Sequence, residues 1–178
     1  MSRNLYKYAL RLCLVSYYII IRGPLGVGKS TISERLAKLL GAEHIYIDRI
    51  LDEHNLTLDK EQGYISRRSF KLANEILVPR VKKLLEKGTV VVIDGNFYWK
   101  SQVDGLISRL VYPHYVFTLK APVKLCIERD NKREKKYGCD AALVVHKKAT
   151  EFDYGVVIDA TGSVNETVNM MRAQLPKK

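Results

Sequence analysis

IIIRGPLGVGKST, residues 19–31 of a 178-residue chain, decides how the rest is read. Three isoleucines, a strand-like run, lead into glycines at 23, 26 and 28, and Lys29, Ser30 and Thr31 follow. Gly23, four residues, Gly28, Lys29 and Ser30 keep the spacing of a P-loop, a tight turn whose inward-facing backbone N–H groups form an anion nest. Glycine permits such a turn because it tolerates backbone conformations closed to residues with a Cβ. Ile32, Leu36, Leu39 and Leu40 then fall at helical spacing, so the positive end of a helix dipole extends the nest. Triphosphate oxygens fit against Gly23, Gly26, Val27 and Gly28. Lys29 would reach the β- and γ-phosphates as a point charge, Ser30 would ligate Mg²⁺, and Thr31 would add a hydroxyl near the α-phosphate.

Five apolar runs organise the chain. Ile19–Ile21, His44–Ile47, Thr89–Ile93, Tyr115–Leu119 and Val156–Ile158 read as strands. Helical spacing covers Ile32–Leu40, stopped by Gly41, and Ser66–Lys87, where Pro79 predicts a kink or a division. Further helices are expected over Lys100–Leu110, from Pro122 to about Tyr137, over Asp140–Glu151, and over Ser163–Leu175 behind a serine cap. Residues 49–63 read as loop. The alternation predicts an α/β fold: a parallel five-stranded sheet, helices on both faces, and ligands at the carboxyl ends of the strands.

Composition narrows the partners. There are 30 Lys and Arg against 19 Asp and Glu, a net charge of +11, and no acidic residue precedes Glu34. A nucleotide suits that balance, and so would RNA or DNA. A basic surface serving solubility alone is the plainer reading. Cys13, Cys126 and Cys139 are odd in number and widely spaced, against a disulfide framework and in favour of a reducing, cytoplasmic setting. The four histidines are scattered, so any metal should arrive with the nucleotide. Arg3, Lys7 and Arg11 precede the apolar run Leu12–Ile21, superficially like a signal peptide. Ten residues are too few to span a bilayer, and the P-loop needs the run as its strand, so no membrane segment is expected. Residues 1–14 read as an extension and 15–178 as one domain.

Two strand-end carboxylates stand near the expected phosphates. Asp94 closes the run TVVVI, where a carboxylate would hold Mg²⁺ or its waters, although Asp94-Gly95 alone is an ordinary turn pair. Asn96, Phe97, Tyr98 and Trp99 follow and could line an acceptor pocket, or just pack. Asp48 follows HIYI and is the best candidate base for an acceptor hydroxyl. In ERDNKREKKYG, residues 128–138, Arg129, Lys132, Arg133 and Lys136 make one cationic helical stripe. Beside a P-loop, such a stripe suits a flap closing over a triphosphate.

Taken together, GPLGVGKST, IYID, VVVIDGNFYW, ERDNKREKKYG and FDYGVVIDATGS resemble the small P-loop kinases related to adenylate, shikimate and gluconate kinases. The likeness is nearest to the branch with chloramphenicol phosphotransferase-like and polynucleotide kinase-like members, and spans residues 17–175. It implies a P-loop NTPase sheet of order 2-3-1-4-5, ATP and Mg²⁺ as cofactors, and an arginine-bearing lid over about residues 128–150. It also implies that Asp48 is the acceptor-side carboxylate, that Arg129 and Arg133 are lid arginines, and that Thr161, Gly162 and Ser163 lie beside the adenine. Asp48 is followed by Arg49 and Ile50, unlike the paired carboxylates of shikimate kinases. The arginine pattern by which adenylate kinases hold a monophosphate has no convincing counterpart, although Arg67 and Arg68 lie in roughly the right segment.

The expected activity is therefore transfer of the ATP γ-phosphate to a hydroxyl or phosphate of a small molecule, with Lys29, Asp48, Arg129 and Arg133 catalytic and Asp48, Arg67 and Asn96 facing the acceptor. One alternative is a polynucleotide end kinase using Arg3, Lys7, Arg11 and Arg22 against a phosphate backbone. Another is a nucleotide-gated switch or NTPase without a transferred product. Asn131-Lys132-Arg133-Glu134 is rejected as a guanine-reading motif because it ends in Glu and lies inside the expected lid helix.

Overall fold

The computed structural model describes residues 16–132 and 138–176. Five parallel strands form the central sheet: β1 (Tyr18–Arg22), β2 (Glu43–Tyr46), β5 (Val91–Asp94), β6 (His114–Lys120) and β7 (Val156–Asp159). Their spatial order is β2-β5-β1-β6-β7, the expected 2-3-1-4-5 when these five are counted in chain order. A two-stranded antiparallel pair, β3 (Lys60–Glu61) and β4 (Tyr64–Ile65), stands apart. The helices are α1 (Lys29–Leu40), α2 (Ile47–Glu53), α3 (Arg67–Glu86), α4 (Lys100–Leu110), α5 (Val123–Asn131), α6 (Cys139–Ala149) and α7 (Val164–Arg172).

Strand alternation divides the core in two. Ile20, Ile45, Ile93 and Val116 face α2, α3 and α4, and pack with Leu51, Phe70, Leu77 and Leu106. Ile19, Ile21, Val92, Phe117 and Leu119 face α1 and α7, and pack with Leu36, Val168 and Met171. All five residues of β1 are buried, as a central strand covered on both faces requires.

Several boundaries differ from the sequence reading. The second strand stops at Tyr46, and Ile47 opens α2, so Asp48 lies in the first turn of a helix instead of at a strand end. Ile47, Ile50 and Leu51 fall at i, i+3 and i+4; this single short turn of pattern straddles the end of the run read as strand and the start of the segment read as loop. α3 runs unbroken through Pro79, which sits on its exposed side where water can satisfy the carbonyl left without an N–H. The closing helix carries a full capping box: Ser163 Oγ accepts from Glu166 N (3.2 Å), and Glu166 Oε2 accepts from Ser163 N (2.7 Å). Among the described residues no helix is long and apolar enough to cross a membrane.

Candidate active site

The phosphate loop joins β1 to α1, with Gly28 at the helix N-cap at φ 102°. Gly26 is required by a close approach as well as by its φ of 80°: a Cβ there would collide with the Cys126 carbonyl of α5. Beyond Gly28 the surroundings are open, with the Ile32 side chain the nearest neighbour. Lys29 turns inward and is 6% exposed, Nζ donating to Pro24 O (2.8 Å) and Asn96 Oδ1 (3.1 Å).

Asn96 in turn donates from Nδ2 to Asp48 Oδ2 (3.1 Å), and its backbone N reaches Asp48 Oδ1 at 3.5 Å. Lys29, Asn96 and Asp48 therefore form one hydrogen-bonded chain, joining the phosphate loop to the candidate base. Burial raises the Asp48 pKa to about 6; Lys29 opposes the rise, Asp94 adds to it, and the Asn96 backbone bond lowers it. The group is ionised at neutral pH yet close enough to it to exchange a proton, the poise a general base needs.

The loop that carries Asn96 is held under strain. Phe97 is fully buried at φ 27°, a conformation L-residues seldom adopt. Its carbonyl accepts from Arg22 Nε (3.2 Å), and the same guanidinium donates to Thr118 Oγ1 (3.1 Å), Phe152 O (2.9 Å) and Ala149 O (2.7 Å). Arg22 is wholly buried, and burial lowers its pKa to about 10. This overturns its expected place on a nucleic-acid surface: a guanidinium walled in by carbonyls cannot touch a phosphate backbone. Arg3, Lys7 and Arg11 lie outside the described residues.

Asp94 ends β5 beside Ile21 of β1, and is fully buried. Oδ1 accepts from His44 Nε2 (2.8 Å), whereas Oδ2 has no partner among the described residues. For His44, burial lowers the pKa, but the Asp94 hydrogen bond and charge, with Glu34 and Glu43, more than offset this and leave it raised. An orphaned carboxylate oxygen near the end of β1, with Ser30 in the first turn of α1, supplies hard oxygen donors that fit Mg²⁺. Among the described residues no group of three or more His, Cys, Asp or Glu could hold a metal alone.

On the other side of the loop, a cavity of about 420 Å³ is lined by Gly26, Gly28, Thr31, Arg129, Gly162 and Thr167, among others. Arg129 Nη1 donates to Val27 O (3.1 Å) and Ala160 O (2.7 Å), and Nη2 to Thr161 O (3.2 Å) and Gly162 O (3.3 Å). It therefore ties the phosphate loop to the 160–162 turn, where the sequence reading had it reaching over a triphosphate. Thr161 is exposed and does not line the cavity, while Ser163, Val164 and Thr167, the start of α7, do. Gly162 and Ser163 were named by the family resemblance, whereas Val164 and Thr167 had no motif to mark them. Arg133 and Lys136 lie outside the described residues.

Phe97, Tyr98 and Trp99 pack into the core at 0, 3 and 4% exposure, so the plainer of their two readings holds. Trp99 Nε1 donates to Ile65 O (2.8 Å), and Tyr98 Oη accepts from Ile65 N (2.9 Å), fixing β4 against the loop after β5. Two cations lie against the indole: Arg67 Cζ at 4.3 Å and Lys148 Nζ at 4.3 Å from the ring centroid. Lys148, paired with Glu151 at 2.6 Å, had no motif to announce it.

A family described as AAA domain matches residues 19–154, and the chain belongs to it. No curated protein matches the chain in sequence. Among solved structures, a sugar kinase from Janibacter sp. HTCC2649 aligns with TM-score 0.74 and 17% identity over 89% of this chain and 93% of that one. A gluconokinase from Sinorhizobium meliloti 1021 aligns with TM-score 0.72 and 16% identity, over 89% and 91% of the two chains. The tunicamycin resistance protein of Deinococcus radiodurans gives TM-score 0.65 and 18% identity, over 92% and 97%. These likenesses establish a shared α/β fold.

Proposed function

We propose that the protein is an ATP- and Mg²⁺-dependent phosphotransferase that moves the γ-phosphate to a hydroxyl of a small-molecule acceptor. The observation that carries this is the chain Lys29–Asn96–Asp48, which sets a base one amide away from the lysine of the phosphate loop. Backbone amides of Gly23 and of Leu25 to Gly28, with the Lys29 ammonium, hold the triphosphate, and Arg129 keeps the nucleotide cavity in shape. Ser30 and Asp94 would hold Mg²⁺, which neutralises charge on the β- and γ-oxygens when bound. Asp48 takes the acceptor's hydroxyl proton as that oxygen bonds to the γ-phosphorus and the bond to the β,γ-bridging oxygen breaks, leaving ADP. The names of the sugar kinase and gluconokinase structures agree with a hydroxyl acceptor.

Residues 15–178 act as one domain, and the segment around 128–150 serves as its lid, anchored at the Ala149 end that Arg22 holds. Labelled ATP offered to a panel of polyols, sugars, sugar acids and 5′-hydroxyl RNA and DNA tests the reading. Label is expected in a small acidic product that survives nuclease. Label in nuclease-sensitive material would make the protein an end kinase, and phosphate release with no labelled product would make it an NTPase.

A further inference from the structure

α3 and α4 pack against each other, and a cavity of about 510 Å³ lies between them. Arg67, Arg68, Lys71 and Asn74 line it from α3, Gln102 and Arg109 from α4. No residue of the phosphate loop takes part. Glu61 bonds Arg67 (2.5 Å), and Glu75 stands 3.9 Å from Arg109. Arg68 and Lys71 have no acidic partner among the described residues, so the groove keeps an excess of positive charge.

Beneath these cations two buried amides are incompletely satisfied. Gln102 is 3% exposed, and neither Nε2 nor Oε1 has a partner among the described residues. Asn74 is 1% exposed; its Nδ2 donates to Gln102 O (3.0 Å), but its Oδ1 accepts from nothing among the described residues. A buried polar atom left unpaired has given up its water without replacing it, so a ligand group that pairs with it is favoured. The packing is also built around this spot. A Cβ on Gly105 of α4 would stand 3.0 Å from Arg109 Nη1 and 3.2 Å from Asn74 Nδ2, so the bare glycine admits both side chains.

We infer that this groove is a binding site for a small hydroxyl-bearing anion, a phosphate monoester or a hydroxycarboxylate. Its charged oxygens lie among Arg68, Lys71 and Arg109, and its hydroxyls reach the two amides. The hydroxyls are required by the chemistry of the floor. Gln102 Oε1 and Asn74 Oδ1 are acceptors, and an ionised anion alone brings them no proton. The inference stands whether or not the protein transfers phosphate.

The test uses the full chain labelled with [¹⁵N]glutamine, whose three glutamines are Gln62, Gln102 and Gln174. The phosphate loop is saturated with Mg²⁺ and a non-hydrolysable ATP analogue, so that no probe acts there. Glycerol 2-phosphate, tartrate, inorganic sulfate and glycerol are then titrated while the side-chain amide signals are followed. The Gln102 pair is expected to shift saturably with glycerol 2-phosphate or tartrate, and whichever binds tighter separates phosphate from carboxylate chemistry. Inorganic sulfate, which carries no O–H, should bind about tenfold more weakly, and glycerol should leave the pair unmoved. Arg68→Met with Lys71→Met, both at exposed positions, should weaken binding about tenfold while Gln62 and Gln174 stay in place. A Gln102 pair that moves with none of the anions overturns the site, as does a shift that the double variant leaves unchanged. Equal affinity for sulfate overturns the role given to the two amides.

Discussion

At Asp48 the same burial that prepares a base also costs stability. With its pKa lifted from 3.8 to about 6, the folded protein holds a proton between those pH values that the unfolded chain has released. Stability from this group therefore falls as pH rises through that window and is flat above it. Asp48→Asn should raise the melting temperature at pH 7 and remove that slope, while turnover drops about a hundredfold or more. Differential scanning calorimetry and steady-state kinetics on one preparation check both halves. In the parent protein, kcat should climb as pH passes about 6; a profile flat from pH 5 to 8 would remove Asp48 as the base. Lys29→Ala should abolish turnover and leave the circular dichroism spectrum unchanged, because its partners Pro24 O and Asn96 Oδ1 border the open site.

Elements show where sequence reading succeeds and where it stops. The runs that became β1, β5 and β6 were legible because a strand buried on both faces must be continuously apolar. Order in the sheet came from the family resemblance and not from those runs. α2 was illegible because seven residues hold too little pattern to separate a helical turn from a loop. At the site, the glycines, Lys29, Asp48, Asp94 and Asn96 announced themselves through motif and position. Arg22 and Lys148 did not, since their roles depend on what distant segments bring to them. Arg22 even pointed the wrong way, because charge in a sequence is read as surface until packing says otherwise. The contact between the phosphate loop and α5 was equally hidden. Gly26→Ala should lower nucleotide affinity more than tenfold and destabilise the fold by about 1–3 kcal/mol, since strain at positive φ adds to the clash with Cys126. Isothermal titration and urea denaturation report the two effects separately.

For the whole molecule, the net charge of +11 is spread among groups with different duties. Arg22 and Lys29 are buried, Arg129 is engaged with four carbonyls, and Arg67 and Lys148 lie against Trp99. The charge that remains at the surface is a weaker argument for nucleic acid than the bare sum suggests. Mg²⁺-ATP at about a hundred times its dissociation constant should stabilise the fold by about 2.7 kcal/mol. For a domain of this size that corresponds to a rise in melting temperature of about 5–10 °C. The absence of any shift with millimolar magnesium nucleotide would dismiss the phosphate-loop reading.

The guanidinium of Arg22 joins acceptors 75, 96, 127 and 130 residues further along the chain. No locally folded fragment can assemble that junction, since each bond closes a long loop before it is rewarded. It should therefore form late in refolding and open only when everything opens, so that amide hydrogen exchange beside it tracks global unfolding. Arg22→Met should speed unfolding far more than it slows folding, a chevron signature of a clasp fastened after the rest of the chain is in place.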